Sequence, residues 1–194
     1  MTDVSIGPWM GLRAALLLAQ GRPEGAFLVS IEPPEAQLAR ARHSFLAMLF
    51  CVPIFLLIQS LGQDQGKASL GISGPGIATL RESAAFVLAW LGYAVLSHRL
   101  AAAMDRAELW PLFVVLWNWC NLVQYLLMAC AMAPTLLGAP AIVGQTAWVV
   151  AMGWSLWLQW AATRIGLGLS AGRAALLVVA DMALGIAVLR LTAG

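Results

Sequence analysis

Residues Leu109–Ala133 read LWPLFVVLWNWCNLVQYLLMACAMA, an apolar run without a charged side chain. The run is long enough to cross a bilayer as a helix, which takes about 20 residues. Four polar side chains interrupt it, and at 100° per residue they fall within roughly 120° of the helix circumference. Because lipid offers no hydrogen-bond partners, this polar face is predicted to turn toward other helices or a water-filled cavity. The four residues are Asn118, Asn121, Gln124 and Tyr125.

The overall composition indicates an integral membrane protein. Of the 194 residues, 61% are hydrophobic and 10% are charged, whereas a soluble domain carries about 25% charged residues. The net charge of +2 is too small to indicate a nucleic-acid partner, which leaves the lipid bilayer as the predicted environment. Five segments are predicted to span it, the second and fifth with help from flanking residues: Phe45–Leu61, Ser83–Leu96, Leu109–Ala133, Ala141–Ala162 and Ala174–Leu189.

The N-terminal part is predicted to form a short arm at the membrane surface. The segment Trp9–Gln20 is too short to span, and its tryptophan, methionine and leucines are typical of an interfacial amphipathic helix. We therefore predict an all-α fold, a polytopic membrane helical bundle with five transmembrane helices. Residues 1–43 would form the cytoplasmic or interfacial arm and residues 44–194 the transmembrane domain.

The distribution of positive charge predicts the orientation of the chain. With five spans, the side that holds the N-terminus carries eight arginines, and the other side carries three basic residues, namely Lys67, Arg81 and Arg190. The positive-inside rule then places the N-terminus in the cytoplasm and the C-terminus outside. Arginine outnumbers lysine ten to one and alanine is abundant, a bias associated with GC-rich bacterial genomes, so we expect a bacterial inner membrane.

A single carboxylate, Asp181, stands at the centre of the fifth span. Arg173 lies about 12 Å away along the helix axis and Arg190 lies on the opposite face, so neither pairs with it locally. An aspartate at this depth costs about 2.5–3.5 kcal/mol on insertion scales. Asp181 must therefore face the bundle, be protonated or find hydrogen-bond donors on another helix. By depth, the carboxamides of Asn118, Asn121 and Gln124 are the expected donors.

The fourth span carries a second polar stripe, formed by Ser155, Gln159 and Thr163 at spacings of four residues. A tight turn joins the third and fourth spans, which predicts hydrogen bonds between their polar stripes. Amides in a span are more often packing elements than ligand-binding groups. For Asp181 a buried structural role and a titrating functional role stay equally open.

No motif in the sequence predicts an enzyme, a metal site or a cofactor. The chain has no GxSxG, HExxH or P-loop pattern and no paired carboxylates within one segment. Cys51, Cys120 and Cys130 fall inside apolar runs, where small buried side chains are the ordinary interpretation. His43 and His98 have no acidic ligand beside them, which argues against a metal site.

Two stretches resemble the Yip family of five-span integral membrane proteins. ELWPLFVVLWNWCNLVQYLL (Glu108–Leu127) is similar to the entry of that family's third span, and ATRIGLGLSAGRAALLVVADMALGIAV (Ala162–Val188) is similar to its end. The resemblance implies a helical bundle without enzyme activity and supplies no catalytic residue. Eukaryotic members are associated with membrane traffic and small GTPases, but this chain lacks their long N-terminal cytosolic domain.

Two functions are compatible with these features. The first, which the sequence favours, is a non-enzymatic scaffold or accessory subunit, whose polar face organises helix packing or meets a membrane-protein partner or a second copy of the chain. The alternative is a small-solute or proton transporter or channel, with an intramembrane polar site around Asp181. That site would comprise Asn118, Asn121, Gln124, Tyr125, Gln159 and Asp181.

Overall fold

The computed structural model describes residues 8–30, 34–63 and 75–193, and among these residues the secondary structure is helical throughout. The helices are α1 (Pro8–Ala19), α2 (Gly25–Val29), α3 (Pro34–Ser44), α4 (Leu46–Gln63), α5 (Pro75–Ala103), α6 (Trp110–Ala131), α7 (Ala133–Leu136), α8 (Ala141–Gly166) and α9 (Ala171–Ala193), with a short 3₁₀ turn at Ala107–Leu109 before α6. The predicted all-α bundle is thereby confirmed.

Five helical stretches in the described part of the chain are long and apolar enough to cross a membrane, which makes this a multi-pass membrane protein. The first reaches further toward the N-terminus than predicted, because α3 and α4 follow one another with only Phe45 between them. The second and fifth stretches include flanking residues on both sides of their short apolar cores, as predicted. The stretches are Glu35–Leu61, Thr79–Ala103, Ala107–Leu136, Ala141–Gly166 and Ala171–Thr192.

Helix α6 is the centre of the bundle. It packs against α1, α3, α4 and α8, and a continuous run of its residues from Phe113 to Cys120 is buried. Its approach to α8 is close, since a Cβ atom added to Gly166 would lie 2.8 Å from the Cα of Phe113. Small residues at such crossings let two helix backbones approach, and dispersion then holds helices together where lipid gives no hydrophobic drive.

The N-terminal helices pack onto this bundle. Gly11 of α1 sits directly against the indole of Trp119, and α2 folds back on α1. The guanidinium of Arg40 donates a hydrogen bond of 2.8 Å to the carbonyl oxygen of Val29, which fastens α3 to the end of α2. Trp9 and Phe27 remain exposed, as expected for side chains that meet lipid at an interface. The division of the chain at residue 43 stays a prediction.

Candidate functional site

A cavity of about 400 Å³ opens between α4, α5, α6 and α9. Its inner end, which we call the floor, is formed by Trp117, Asn121 and Asp181. Its outer end, which we call the mouth, lies within about two turns of the adjacent helix ends. The mouth residues are Gln59, Arg81, Glu82 and Thr192. Along α9 the lining residues recur with helical periodicity from Asp181 to Thr192, so the cavity follows one face of that helix for about 16 Å.

Asp181 finds its hydrogen-bond donor on α8. The side-chain nitrogen of Gln159 donates to Asp181 Oδ2, and the hydroxyl of Thr163 donates over 2.8 Å to the Gln159 carbonyl oxygen one turn away. The carboxamides of α6 were the expected donors. That prediction is wrong, because no hydrogen bond among the described residues joins an α6 carboxamide to Asp181. The prediction considered only the depth of each polar residue in the membrane. The rotation of each helix about its axis decides which side chains at one depth meet.

A second donor lies beside the same carboxylate. The indole N–H of Trp117 is buried without a hydrogen-bond partner, and Trp117 lines the floor together with Asp181. Asn121 also lines the floor, and its side-chain nitrogen donates to the backbone carbonyl of Trp117 over 3.0 Å. Among the described residues no arginine or lysine nitrogen lies within 4.0 Å of Asp181. The floor is therefore a carboxylate surrounded by neutral dipoles.

Asn118 does not line the cavity and belongs to a separate hydrogen-bond network. Its side-chain oxygen accepts a hydrogen bond of 2.8 Å from the indole N–H of Trp90, and its side-chain nitrogen donates over 2.7 Å to the hydroxyl of Ser44. That hydroxyl donates in turn to the carbonyl oxygen of Ala41 over 2.7 Å. Asn118 is fully buried and joins α3, α5 and α6. Its polar groups are satisfied within the protein, which is a packing role.

The remaining polar residues of α6 and α8 also fall into two groups, those that line the cavity and those that do not. Tyr125 lines the cavity, whereas Gln124 does not, and its side-chain nitrogen is buried without a hydrogen-bond partner. Ser155 Oγ is likewise buried and unpartnered. The predicted hydrogen bonds between the polar stripes of α6 and α8 are absent among the described residues. The polar face predicted for α6 thus splits into a packing part and a cavity part.

Aromatic rings form the walls of the cavity and close its inner end. Phe86 contacts Phe55, Trp90 and Tyr125, with ring centroids 4.7, 5.4 and 5.6 Å apart. Below the floor, the Tyr93 ring lies 5.1 Å from that of Trp117, and its hydroxyl donates to the carbonyl oxygen of Leu177 over 3.2 Å. These contacts close the inner end of the cavity toward the half of the bundle where α6 begins.

Several of these residues were not predicted from the sequence. Ser44 lies just before the predicted first span, and nothing in its surroundings marks it as a partner of Asn118. The α5 aromatics did leave a signal, because Phe86, Trp90 and Tyr93 are spaced by four and three residues and so share one helix face. No group of three or more His, Cys, Asp or Glu side chains that could hold a metal ion occurs in the described ranges.

The architecture and the cavity define the class, an all-α multi-pass membrane protein with a carboxylate-floored intramembrane cavity. No protein-family model, curated protein or solved structure matches the chain. The resemblance to the Yip family therefore stays a prediction that rests on the two stretches quoted above.

Proposed function

We propose that this protein binds a small solute inside the membrane, in the cavity above Asp181. The observation that carries the proposal is the carboxylate itself, held at the floor of a cavity of about 400 Å³ with no cationic side chain of the described residues beside it. Ligand sites are typically clefts of this size, mostly apolar, with a few convergent polar groups. An ionisable residue within a span marks a functional site by default.

The proposal includes the orientation of the chain. The protein would lie in a bacterial inner membrane with its N-terminus in the cytoplasm, supported by the eight-to-three distribution of basic residues. One of the three outer residues, Lys67, lies outside the described part of the chain. In this orientation the mouth faces the outer side, because it lies where α4 ends and α5 begins. The solute would then enter from outside.

The aromatic closure supports binding rather than open conduction. In this orientation Tyr93 lies on the cytoplasmic side of the floor, where its ring packs against Trp117 of the floor and against Phe113. A transporter would need a second arrangement in which this closure opens. The proposal therefore covers the bound state, and transport is the extension that a flux assay in proteoliposomes would establish.

Water access to the cavity provides the test. Gly185 lines the cavity, and a Cβ atom there would meet nothing within 4 Å, so Gly185→Cys introduces a thiol without a clash. Gly153 on α8 has equal space but does not line the cavity, which makes Gly153→Cys the matched control. Both belong in a Cys130→Ala background, since Cys130 is exposed whereas Cys51 and Cys120 are buried.

The reagent is a small membrane-impermeant methanethiosulfonate, applied from the outer side of intact cells. We expect Gly185→Cys to be modified rapidly and Gly153→Cys to remain unmodified, because the control thiol would face lipid. Equal protection of both thiols would show that the cavity is closed to water and would refute the proposal.

A second candidate function is a non-enzymatic scaffold or accessory subunit. The observation that favours it is the Asn118 network, whose polar groups are all used to join three helices. If the whole polar seam served packing in the same way, the cavity would be incidental and the partner would be another membrane protein. Purification from native membranes in mild detergent, followed by mass spectrometry, tests this candidate. A stoichiometric partner supports it, and a protein that purifies alone while Gly185→Cys is modified argues against it.

A further inference from the structure

The charge and the walls of the cavity indicate which ligand it takes. The charged lining residues are Asp181 at the floor and Arg81 and Glu82 at the mouth, which gives a formal charge of −1. Arg81 and Glu82 are adjacent, so their fields largely cancel at a distance. Arg81 is nine residues from Trp90 along α5, about 13 Å. The floor is therefore the negative end of the cavity.

One oxygen of the Asp181 carboxylate is available to a positively charged ligand. Gln159 donates to Oδ2, and no described residue donates a hydrogen bond to Oδ1. The buried indole N–H of Trp117, which has no hydrogen-bond partner, belongs to the same floor. A carboxylate that is largely withdrawn from bulk water is stabilised in its charged form by a cation beside it, and a cation that enters the cavity supplies that partner.

The walls favour an organic cation over a metal ion. Trp90, Trp117, Phe86 and Tyr125 place their rings around the space next to Asp181. Aromatic faces attract cations within about 6 Å of the ring centroid, and aromatic cages are a recurrent site for quaternary ammonium groups. A bare metal ion would need several oxygen or nitrogen ligands, whereas the described floor offers one carboxylate and one amide.

Resting on the proposed solute-binding function, we propose that the cavity takes a hydrophobic organic cation, with its positive charge against Asp181 and its apolar groups among the aromatic rings. A protonated amine and a quaternary ammonium ion both have this chemistry. The apolar groups would lie between α4, α5 and α6, where Phe55, Phe86 and Tyr125 form the wall.

The test uses the full-length protein in lipid nanodiscs and tetraphenylphosphonium as the probe. Tetraphenylborate has the same shape and the opposite charge, so it separates electrostatic recognition from hydrophobic partition. We expect saturable binding of the cation and none of the anion. Asp181→Asn should weaken cation binding by about 30-fold or more, as for loss of one partner of a buried charge pair. Saturable binding of both probes, or an unchanged affinity in Asp181→Asn, would overturn the proposal.

Two matched controls isolate the site. Asp105 is exposed at the opposite end of α5 and has a positive φ of 56°, a conformation that asparagine tolerates, so Asp105→Asn should bind the cation normally. Phe86→Leu keeps the wall apolar but removes the ring, and should weaken binding by about threefold. Phe27→Leu changes an exposed ring on α2 and should have no effect.

The same thiol separates this inference from the proposed function. If Gly185→Cys is modified from outside and tetraphenylphosphonium slows that modification, both stand. If it is modified and the cation gives no protection, the cavity binds some other solute and the inference falls alone. If it is not modified, the proposed function falls and this inference with it. Thermal unfolding of each variant shows whether a loss of binding reflects a loss of fold.

Discussion

The side-chain amide of Gln159 on α8 donates a hydrogen bond to the carboxylate of Asp181 on α9. The bond ties two neighbouring helices together next to the cavity, and it uses one of the two carboxylate oxygens. We expect Gln159→Leu to lower the free energy of unfolding in detergent by about 1–3 kcal/mol, because the buried carboxylate loses its donor. A double-mutant cycle with Asp181→Leu measures the coupling, for which about 0.6–2 kcal/mol is expected. Additive effects of the two changes would contradict the bond.

The buried amide of Asn118 should matter more for stability than the amide one turn later. Asn118→Ala leaves the buried Trp90 indole N–H without an acceptor, at a cost of about 1–3 kcal/mol, whereas the Ser44 hydroxyl keeps its bond to the Ala41 carbonyl oxygen. Asn121→Ala removes only a bond to its own helix and should cost less than about 1 kcal/mol. Thermal unfolding of the two variants decides the matter. A larger loss in Asn121→Ala would show that the network does not stabilise the bundle.

The docking of α1 should depend on the absence of a side chain at Gly11. A Cβ atom there would lie 2.1 Å from Trp119 Nε1, and the indole is too well buried to move freely. We expect Gly11→Ala to destabilise the protein by about 1–3 kcal/mol through overpacking. It should also speed tryptic cleavage after Arg13.

Gly153→Ala is the control for that substitution. It places the same methyl group on α8 with nothing within 4 Å, and should be neutral or slightly stabilising because alanine favours the helix. If Gly11→Ala behaved like Gly153→Ala in unfolding and cleavage, close contact between α1 and α6 would not be needed.

The predicted orientation places both the connector before α5 and the C-terminus on the outer side of the membrane. Ser69→Cys, which falls outside the described residues, and Ala193→Cys should both react with an impermeant maleimide added to intact cells. The reaction should need no permeabilisation, since the C-terminus and the connector before α5 would share one side. Labelling of either thiol only after permeabilisation would show that the five-span topology is wrong.

The positions of the spans followed from composition, whereas the pairing of their polar groups did not. Apolar length and charge were enough to predict five membrane helices, because lipid penalises every unsatisfied backbone group and permits few alternatives. Helical periodicity also placed Asn121 and Tyr125 on one side, and both line the cavity.

Periodicity cannot say which neighbour a polar face meets. The neighbour depends on the rotation and the crossing angle of each helix. Apolar helix surfaces that resemble one another place little constraint on either. Asp181 therefore meets Gln159 rather than an amide of α6, and Asn118 meets Ser44, which lies just before the predicted first span. The close approach of Gly11 to Trp119 was equally invisible, because it depends on a missing side chain.

The hydrogen bond between Ser44 and Asn118 also sets an order for biogenesis. The two residues are 74 positions apart, so at 5–20 residues per second the ribosome makes Asn118 roughly 4–15 s after Ser44. During that interval the N-terminal helices have no α6 to dock on, and we expect them to wait at the membrane surface. Disulfide crosslinking of Ser44→Cys to Asn118→Cys in ribosome-stalled chains should therefore succeed only after α6 has left the exit tunnel and entered the bilayer.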